Sequence, residues 1–252
     1  TGKTILIEID EDGNELWTGT YGGISGSHWG NSVEATSDGG YIIGAAQNTI
    51  IKTDSLGVEE WHKKLSYSVH HFVEDVIQTS EGDYLVVGGV GGDPLGGHAV
   101  KGKAFLLRMS EGGSVQWIKR YGIIDTPNNS FWGVVEADDG GFVLAGEKLQ
   151  DRNFEFYDHF WVMKTDAYGV EEWSIESGGN LWDEAQNIAK LSDDSYIVTG
   201  KTSLSTSNLN MKVMRISSSG QIMWQNNHGG GNNDTGTAIA ISQNEEMVAI
   251  VG

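Results

Sequence analysis

One arrangement recurs along the chain and restricts what it can become: a polar turn ends in a glycine four residues ahead of a tryptophan in five copies, at Gly13/Trp17, Gly57/Trp61, Gly113/Trp117, Gly169/Trp173 and Gly220/Trp224. Each pair ends a segment of apolar strand, short polar turn and Trp, as in IEIDEDGNELW, IKTDSLGVEEW and MKTDAYGVEEW. A glycine held at a fixed offset from a strand residue marks a tight hairpin whose backbone must take a positive φ. A second marker alternates with the first, an acidic or glycine-rich turn followed by an aromatic strand. It reads SDGGYIIG, SEGDYLVVG, DDGGFVLAG and SDDSYIVTG, with a degraded fifth copy, SQNEEMVAIVG. Self-similarity at this period marks a repeat architecture.

Successive Trp markers lie 44, 56, 56 and 51 residues apart, and the path from Trp224 to the C-terminus and on from Thr1 to Trp17 covers 45. One repeat is therefore divided between the two ends. Four short antiparallel strands per repeat, A to D, leave two apolar faces that only neighbouring repeats can cover. The expectation is an all-β, five-bladed β-propeller forming a single domain over residues 1–252. Its blades fall near 32–68, 72–121, 131–177, 184–228, and 235–252 joined with 1–21, so that the shared blade removes a free sheet edge.

Composition agrees with many strands and turns: 36 Gly, 2 Pro, 9 Trp and 38% hydrophobic residues. The formal charge of -19 repels phosphate backbones and anionic headgroups, so neither nucleic acid nor a membrane is an expected partner. No apolar run is long enough to insert into a bilayer. The lack of cysteine excludes disulfides and thiolate metal sites. Thr1 in place of an initiator methionine reads as a mature or trimmed product whose export signal is already gone.

The combination of DGGY, K-x-D-x-x-G-x-x-x-W and Y-G-G is carried best by Tyr21-Gly22-Gly23, Lys52-Thr53-Asp54 and Lys164-Thr165-Asp166. It resembles the repeats of secreted and cell-surface β-propeller proteins of archaea and bacteria. The resemblance covers the whole chain and departs at Gln243-Asn244-Glu245-Glu246. It implies an extracellular or cell-surface setting and brings no activity with it, because a fold does not fix a function.

The spacing from Trp to the next aromatic marker is nearly constant, whereas that from aromatic marker to Trp is 20, 33, 31 and 28. Length variation thus sits between strands B and C, and long B–C loops are expected at Gly89–Lys103, Glu147–His159 and Lys201–Asn210. Loops on a rigid scaffold are where binding commonly resides. The D–A connections on the same face join aromatics to amides and carboxylates. Candidate ligand-binding residues there are Trp29, Asn31, Asn129, Trp132, Trp182, Asp183, Asn232 and Asp234. A ring that stacks on a sugar face, with amides and carboxylates taking its hydroxyls, suits a glycan; the same groups also suit a protein surface.

Asp10, Asp12 and Asn14 offer alternate hard oxygens in the manner of a calcium loop, but the other copies lack them. They are a weak candidate for Ca2+, and no other cofactor is expected. Glu34, Glu74, Asp75, Glu136 and Glu184 lie on or beside candidate A strands without marking an acid and base pair. The cations Lys52, Arg108, Lys164 and Arg215, each five residues ahead of its glycine, are expected to pair with neighbouring acidic turns. The sequence therefore predicts a non-enzymatic interaction or structural propeller that binds a protein partner or assembles with itself. A glycan-binding, lectin-like propeller is the alternative, and a glycoside hydrolase is the less favoured third reading.

Overall fold

The computed structural model describes every residue except 1–2, 23–29, 46–47, 66–69, 92–102, 123–128, 153–154, 179–180, 206–207 and 246. The described residues form β-strands and no helix, so none of them makes a helix able to cross a membrane. They divide into two compact units: Thr1–Val100 with Phe105–Lys119, and Lys101–Ala104 with Arg120–Gly252.

In the first unit, β1 (Thr4–Ile9) and β2 (Glu15–Tyr21) make a two-stranded sheet. The strands β3 (Gly30–Ala35), β4 (Tyr41–Ala45), β5 (Thr49–Thr53) and β6 (Glu59–Lys64) form an antiparallel sheet in that order. The same order holds for β7 (His70–Gln78), β8 (Tyr84–Gly91), β9 (Ala104–Met109) and β10 (Val115–Tyr121). The second unit repeats the plan. It contains β11 (Ser130–Glu136), β12 (Phe142–Arg152), β13 (Glu155–Thr165) and β14 (Glu171–Ser177), then β15 (Glu184–Lys190), β16 (Tyr196–Ser205), β17 (Asn208–Ile216) and β18 (Ile222–His228). A two-stranded sheet of β19 (Ala238–Ile241) and β20 (Val248–Val251) follows.

The two sequence markers meet in space. Trp17 stands edge-on to Tyr41 with ring centroids 5.8 Å apart, and Trp61 is tilted against Tyr84 at the same distance. Trp17 and Trp61 thus reach the aromatic marker of the next repeat, and the core grows from such contacts. In the first unit Tyr84 joins Ile42, Ile50, Val73, Val86, Phe105 and Leu107. In the second, Tyr196 joins Val143, Phe160, Val162, Ala185, Val198 and Met214, with Trp173 against the cluster. Each such side chain, fully buried, contributes about 1.5–3 kcal/mol over leaving it wet.

The turns explain the rest of the pattern. In the β5–β6 turn, Asp54 Oδ1 accepts from Leu56 N and Val58 N, both at 2.9 Å, while Gly57 takes φ +73°. Asp166 does the same for Tyr168 N and Val170 N at 2.8 Å. The strand-C cations pair as expected. Lys52 reaches Asp38 at 2.8 Å and Glu60 at 3.0 Å, Arg108 reaches Glu81 at 2.5 Å and Asp83 at 2.8 Å, Lys164 holds Asp139 and Glu172, and Arg215 holds Asp193.

One expectation is corrected. The insertions at Glu147–His159 and Lys201–Asn210 are largely strand: β12 pairs β13 in unbroken register from Phe142↔Thr165 to Arg152↔Glu155, and β16 pairs β17 out to Ser205↔Asn208. The added residues satisfy their backbone groups by lengthening the hairpin. Most of the Gly89–Lys103 segment lies outside the described residues.

Candidate functional site

The second unit brings together three carboxylates from three strands. Glu147 is on β12, Asp158 on β13 opposite Leu149, and Glu184 opens β15, directly opposite Lys201 of β16. One oxygen from each of Glu147, Asp158 and Glu184 lies within 4.8 Å of the others. Lys201 Nζ approaches Glu184 Oε1 to 2.7 Å, and Gln186 Nε2 makes a longer contact of 3.4 Å to Glu184 Oε2. Gln186 can do so because it is the extra residue of a β-bulge between Ala185 and Asn187, a device that re-aims a side chain off the ladder. Asp158 Oδ1 is buried without a hydrogen-bond partner.

Crowding of negative charge in a half-buried place sets the protonation. Burial, then the charges of Glu184 and Asp158, push Glu147 up to about 9. Burial and Glu184 push Asp158 up to about 6. Glu147 and Asp158 share these neighbours, so their two shifts belong together. Near neutral pH Glu147 holds its proton, Glu184 is matched by Lys201, and Asp158 is mostly ionised, which leaves about one uncompensated negative charge. Hard carboxylate oxygens of this kind suit Ca2+ or Mg2+, but Lys201 already occupies the Glu184 oxygen that such an ion would need. A single positive charge is what the cluster lacks.

Beside it, Trp182 is 52% exposed with its backbone pinned: Ser203 Oγ donates to Trp182 O at 2.7 Å, and Trp182 N donates to Ser203 Oγ at 3.2 Å. Asp183, next in sequence, is turned inward. It accepts from Thr202 Oγ1, and its backbone N donates to Asp158 O at 3.0 Å.

The remaining candidates are spread out. Asn129 is buried, with Oδ1 accepting from Leu149 N at 3.1 Å. Trp132 is half-buried and is the bulge residue of β11. Asn31, the bulge residue of β3, donates from Nδ2 to Val73 O at 2.7 Å. Asp234 accepts from Gly230 N at 2.9 Å, and Asn232 is exposed. Trp29 lies outside the described residues. Trp132 and Trp182 thus sit in different settings, one half-buried at a bulge and the other exposed. Asp10 Oδ1 receives Asp12 N at 3.0 Å and Asn14 N at 2.8 Å, so the carboxylate closes its own turn in the manner of Asp54 and Asp166.

Glu147 and Asp158 were missed as site residues because nothing in their local pattern marks them. Each is a strand residue in a polar stretch, and they reach Glu184 only through the stacking of two sheets. Their one sequence signal is that the segment read as a long loop opens with a carboxylate, Glu147, and that Glu184 is a candidate on the first strand of the following repeat.

No protein-family model matches the sequence, and no curated protein matches it. Among solved structures, the chain is similar to a protein of unknown function from Bacteroides caccae, with 15% identity over 97% of this chain and 81% of that one and a TM-score of 0.62. It is also similar to a gluconolactonase from Xanthomonas campestris, at 13% identity over 88% and 69% of the two chains with a TM-score of 0.48. A third similar structure is BamB from Moraxella catarrhalis, at 13% identity over 95% and 71% with a TM-score of 0.47. At these identities the likeness concerns fold alone, and the fold of the described residues is all-β.

Proposed function

We propose that the chain is a non-enzymatic, extracellular or cell-surface propeller that binds a basic segment of a protein partner at the loop end of its second unit. The observation that carries this reading is the convergence of Glu147, Asp158 and Glu184 against a single cation, Lys201. A partner Arg or Lys would supply the missing charge, and the exposed indole of Trp182 offers a cation a face to stack on. The extracellular setting rests on the resemblance of the repeats to those of secreted propellers.

The ring is proposed to have five blades, the last built from β19–β20 with β1–β2. What supports this is the count of strands: β3–β6, β7–β10, β11–β14 and β15–β18 each pair in sequence order as a set of four, whereas β1–β2 and β19–β20 are sheets of two and carry complementary halves of the repeat. On β1, Ile5, Ile7 and Ile9 are 60%, 52% and 61% exposed, a row of apolar side chains in need of cover.

Binding is tested by calorimetry with an arginine-rich decapeptide and its citrulline counterpart at low and high salt. The arginine peptide should bind, weaken with salt, and lose at least tenfold in affinity with Trp182→Ala or Glu184→Gln. Equal binding of both peptides, or no effect of either variant, would remove the proposal.

A second reading is glycoside hydrolysis, favoured by one specific observation. One carboxyl of the cluster stays protonated near neutral pH while another is ionised, which is how acid and base roles divide. Their separation is close to the roughly 5–5.5 Å of retaining glycosidases. Turnover of any of a panel of aryl glycosides that is lost in Glu147→Gln would select it over simple binding.

A further inference from the structure

A second polar site lies in the same unit, where the glycine-rich connection after β18 returns to the start of β17. Three hydrogen bonds fix that connection: Asp234 N donates to Leu209 O at 2.8 Å, Leu209 N to Asn233 Oδ1 at 3.1 Å, and Gly230 N to Asp234 Oδ2 at 2.9 Å. Asn208 Nδ2 makes a long contact of 3.4 Å with Gly230 O, which places a fourth polar group against the same loop.

Inside it, two oxygens face the bare side of Gly229. A Cβ at that position would stand 2.7 Å from Asn210 Oδ1 and 2.7 Å from Asp234 Oδ2, so only glycine leaves the space open. Asn210 is 9% exposed, and its Oδ1 is buried with no hydrogen-bond donor; Asn208 Oδ1 is buried in the same condition. Leaving a buried acceptor unmatched costs about 1–3 kcal/mol. An unmatched amide oxygen and a carboxylate around one glycine-lined gap call for a positively charged or donating occupant.

We propose that Asn210 and Asp234 form the core of a binding site for a hard divalent cation of the Ca2+ class, with water completing the coordination. The donor set is all oxygen, as such ions require, and the net charge of -19 concentrates cations around the chain. With one carboxylate among the ligands the site is a weak one, of the ~10⁻⁴–10⁻³ M kind found in extracellular modules. It is independent of the carboxylate cluster, which has Lys201 in place, and it does not rest on the peptide-binding reading.

The test is a titration of the full chain with CaCl2 at constant ionic strength, followed by calorimetry and thermal midpoint. The expected result is saturable binding of one ion, with a midpoint raised by a few degrees. Asp234→Asn keeps an acceptor for Gly230 N, so the loop should survive while affinity falls at least tenfold. Asn210→Asp adds a charge and should raise affinity several-fold, and Glu184→Gln, which tests the separate carboxylate cluster, should leave the Ca2+ affinity where it is while weakening the arginine peptide. The absence of saturable binding would overturn the proposal, as would binding lost with Glu184→Gln but kept in Asp234→Asn. A drop in midpoint for Asn210→Asp with no gain in affinity would also overturn it, because it would mean that the Asn210 amide simply donates to Asp234.

Discussion

Trp173 packs on the uncovered backbone of Gly220: a methyl group there would come within 2.7 Å of the indole, and Trp173 Nε1 donates to Ser218 O at 3.0 Å. Trp61 meets Gly113 in the same way in the first unit. The recurring glycine therefore has two jobs, to turn the hairpin at φ +80° and to leave a landing place for the Trp of the preceding repeat.

Replacing Gly220 by Ala should reveal both jobs. The left-handed conformation costs a non-glycine residue about 1–2 kcal/mol, and displacing Trp173 adds an overpacking cost of similar size, for a loss of about 2–4 kcal/mol. Gly82, at φ +89° with open space around it, isolates the first effect, so Gly82→Ala should lose only about 1–2 kcal/mol. Urea midpoints of the two variants measure the difference.

Lys52 and Asp38 set the pH limits of stability. The Lys52 hydrogen bond, with those of Thr36 and Gly40, holds Asp38 well below the usual carboxylate range. Burial opposes the Lys52 ammonium, but Asp38 and Glu60 outweigh it and raise its pKa. The depressed acid gives stability that is present above about pH 4 and lost as pH falls; the raised base gives stability present below about pH 10.5 and lost as pH rises beyond it. Lys52→Met should cost about 1–2 kcal/mol at pH 7, modest because both acids are partly exposed, and should flatten both flanks of the thermal midpoint against pH.

Glu147 works in the opposite direction. Its folded-state pKa of about 9 against an ordinary 4.5 means that the native protein holds a proton the unfolded chain has released, so stability falls as pH rises through that interval. Glu147→Gln should remove much of this slope and be more stable than the parent at pH 9, by on the order of 1–3 kcal/mol. Thermal unfolding between pH 5 and 9 is the measurement; a parent with a flat profile would contradict it.

If the ends share a blade, deletion of residues 1–21 should lower the thermal midpoint and broaden the transition. A synthetic peptide of those residues added back should restore the midpoint in a saturable way. A truncated chain as cooperative as the parent would refute the shared blade.

Much of this architecture could be read in the sequence because each repeat spends its strongest residues at fixed offsets. Gly57 with Trp61, Tyr84 after an acidic turn, and Lys52 five residues ahead of its glycine all act as their spacing suggests. Legibility fails where chemistry depends on neighbours in space. The stretch around Glu147–His159 is polar and looks like a loop, but its two arms find each other as strands. Asn129 and Asp183 look like ligand contacts, yet their oxygens face Leu149 N and Thr202 Oγ1. Glu147, Asp158 and Glu184 share no spacing at all and meet only when two sheets stack.

The strand-C cations have a consequence for the surface. Lys52, Arg108, Lys164 and Arg215 each tether solvent-facing acids, so Asp38, Glu81, Asp139 and Asp193 are anchored from beneath although they lie in the open. Trimming one of those carboxylates would therefore strand a cation under the turn, and what looks like an edit of the exterior would be felt as a defect of the interior.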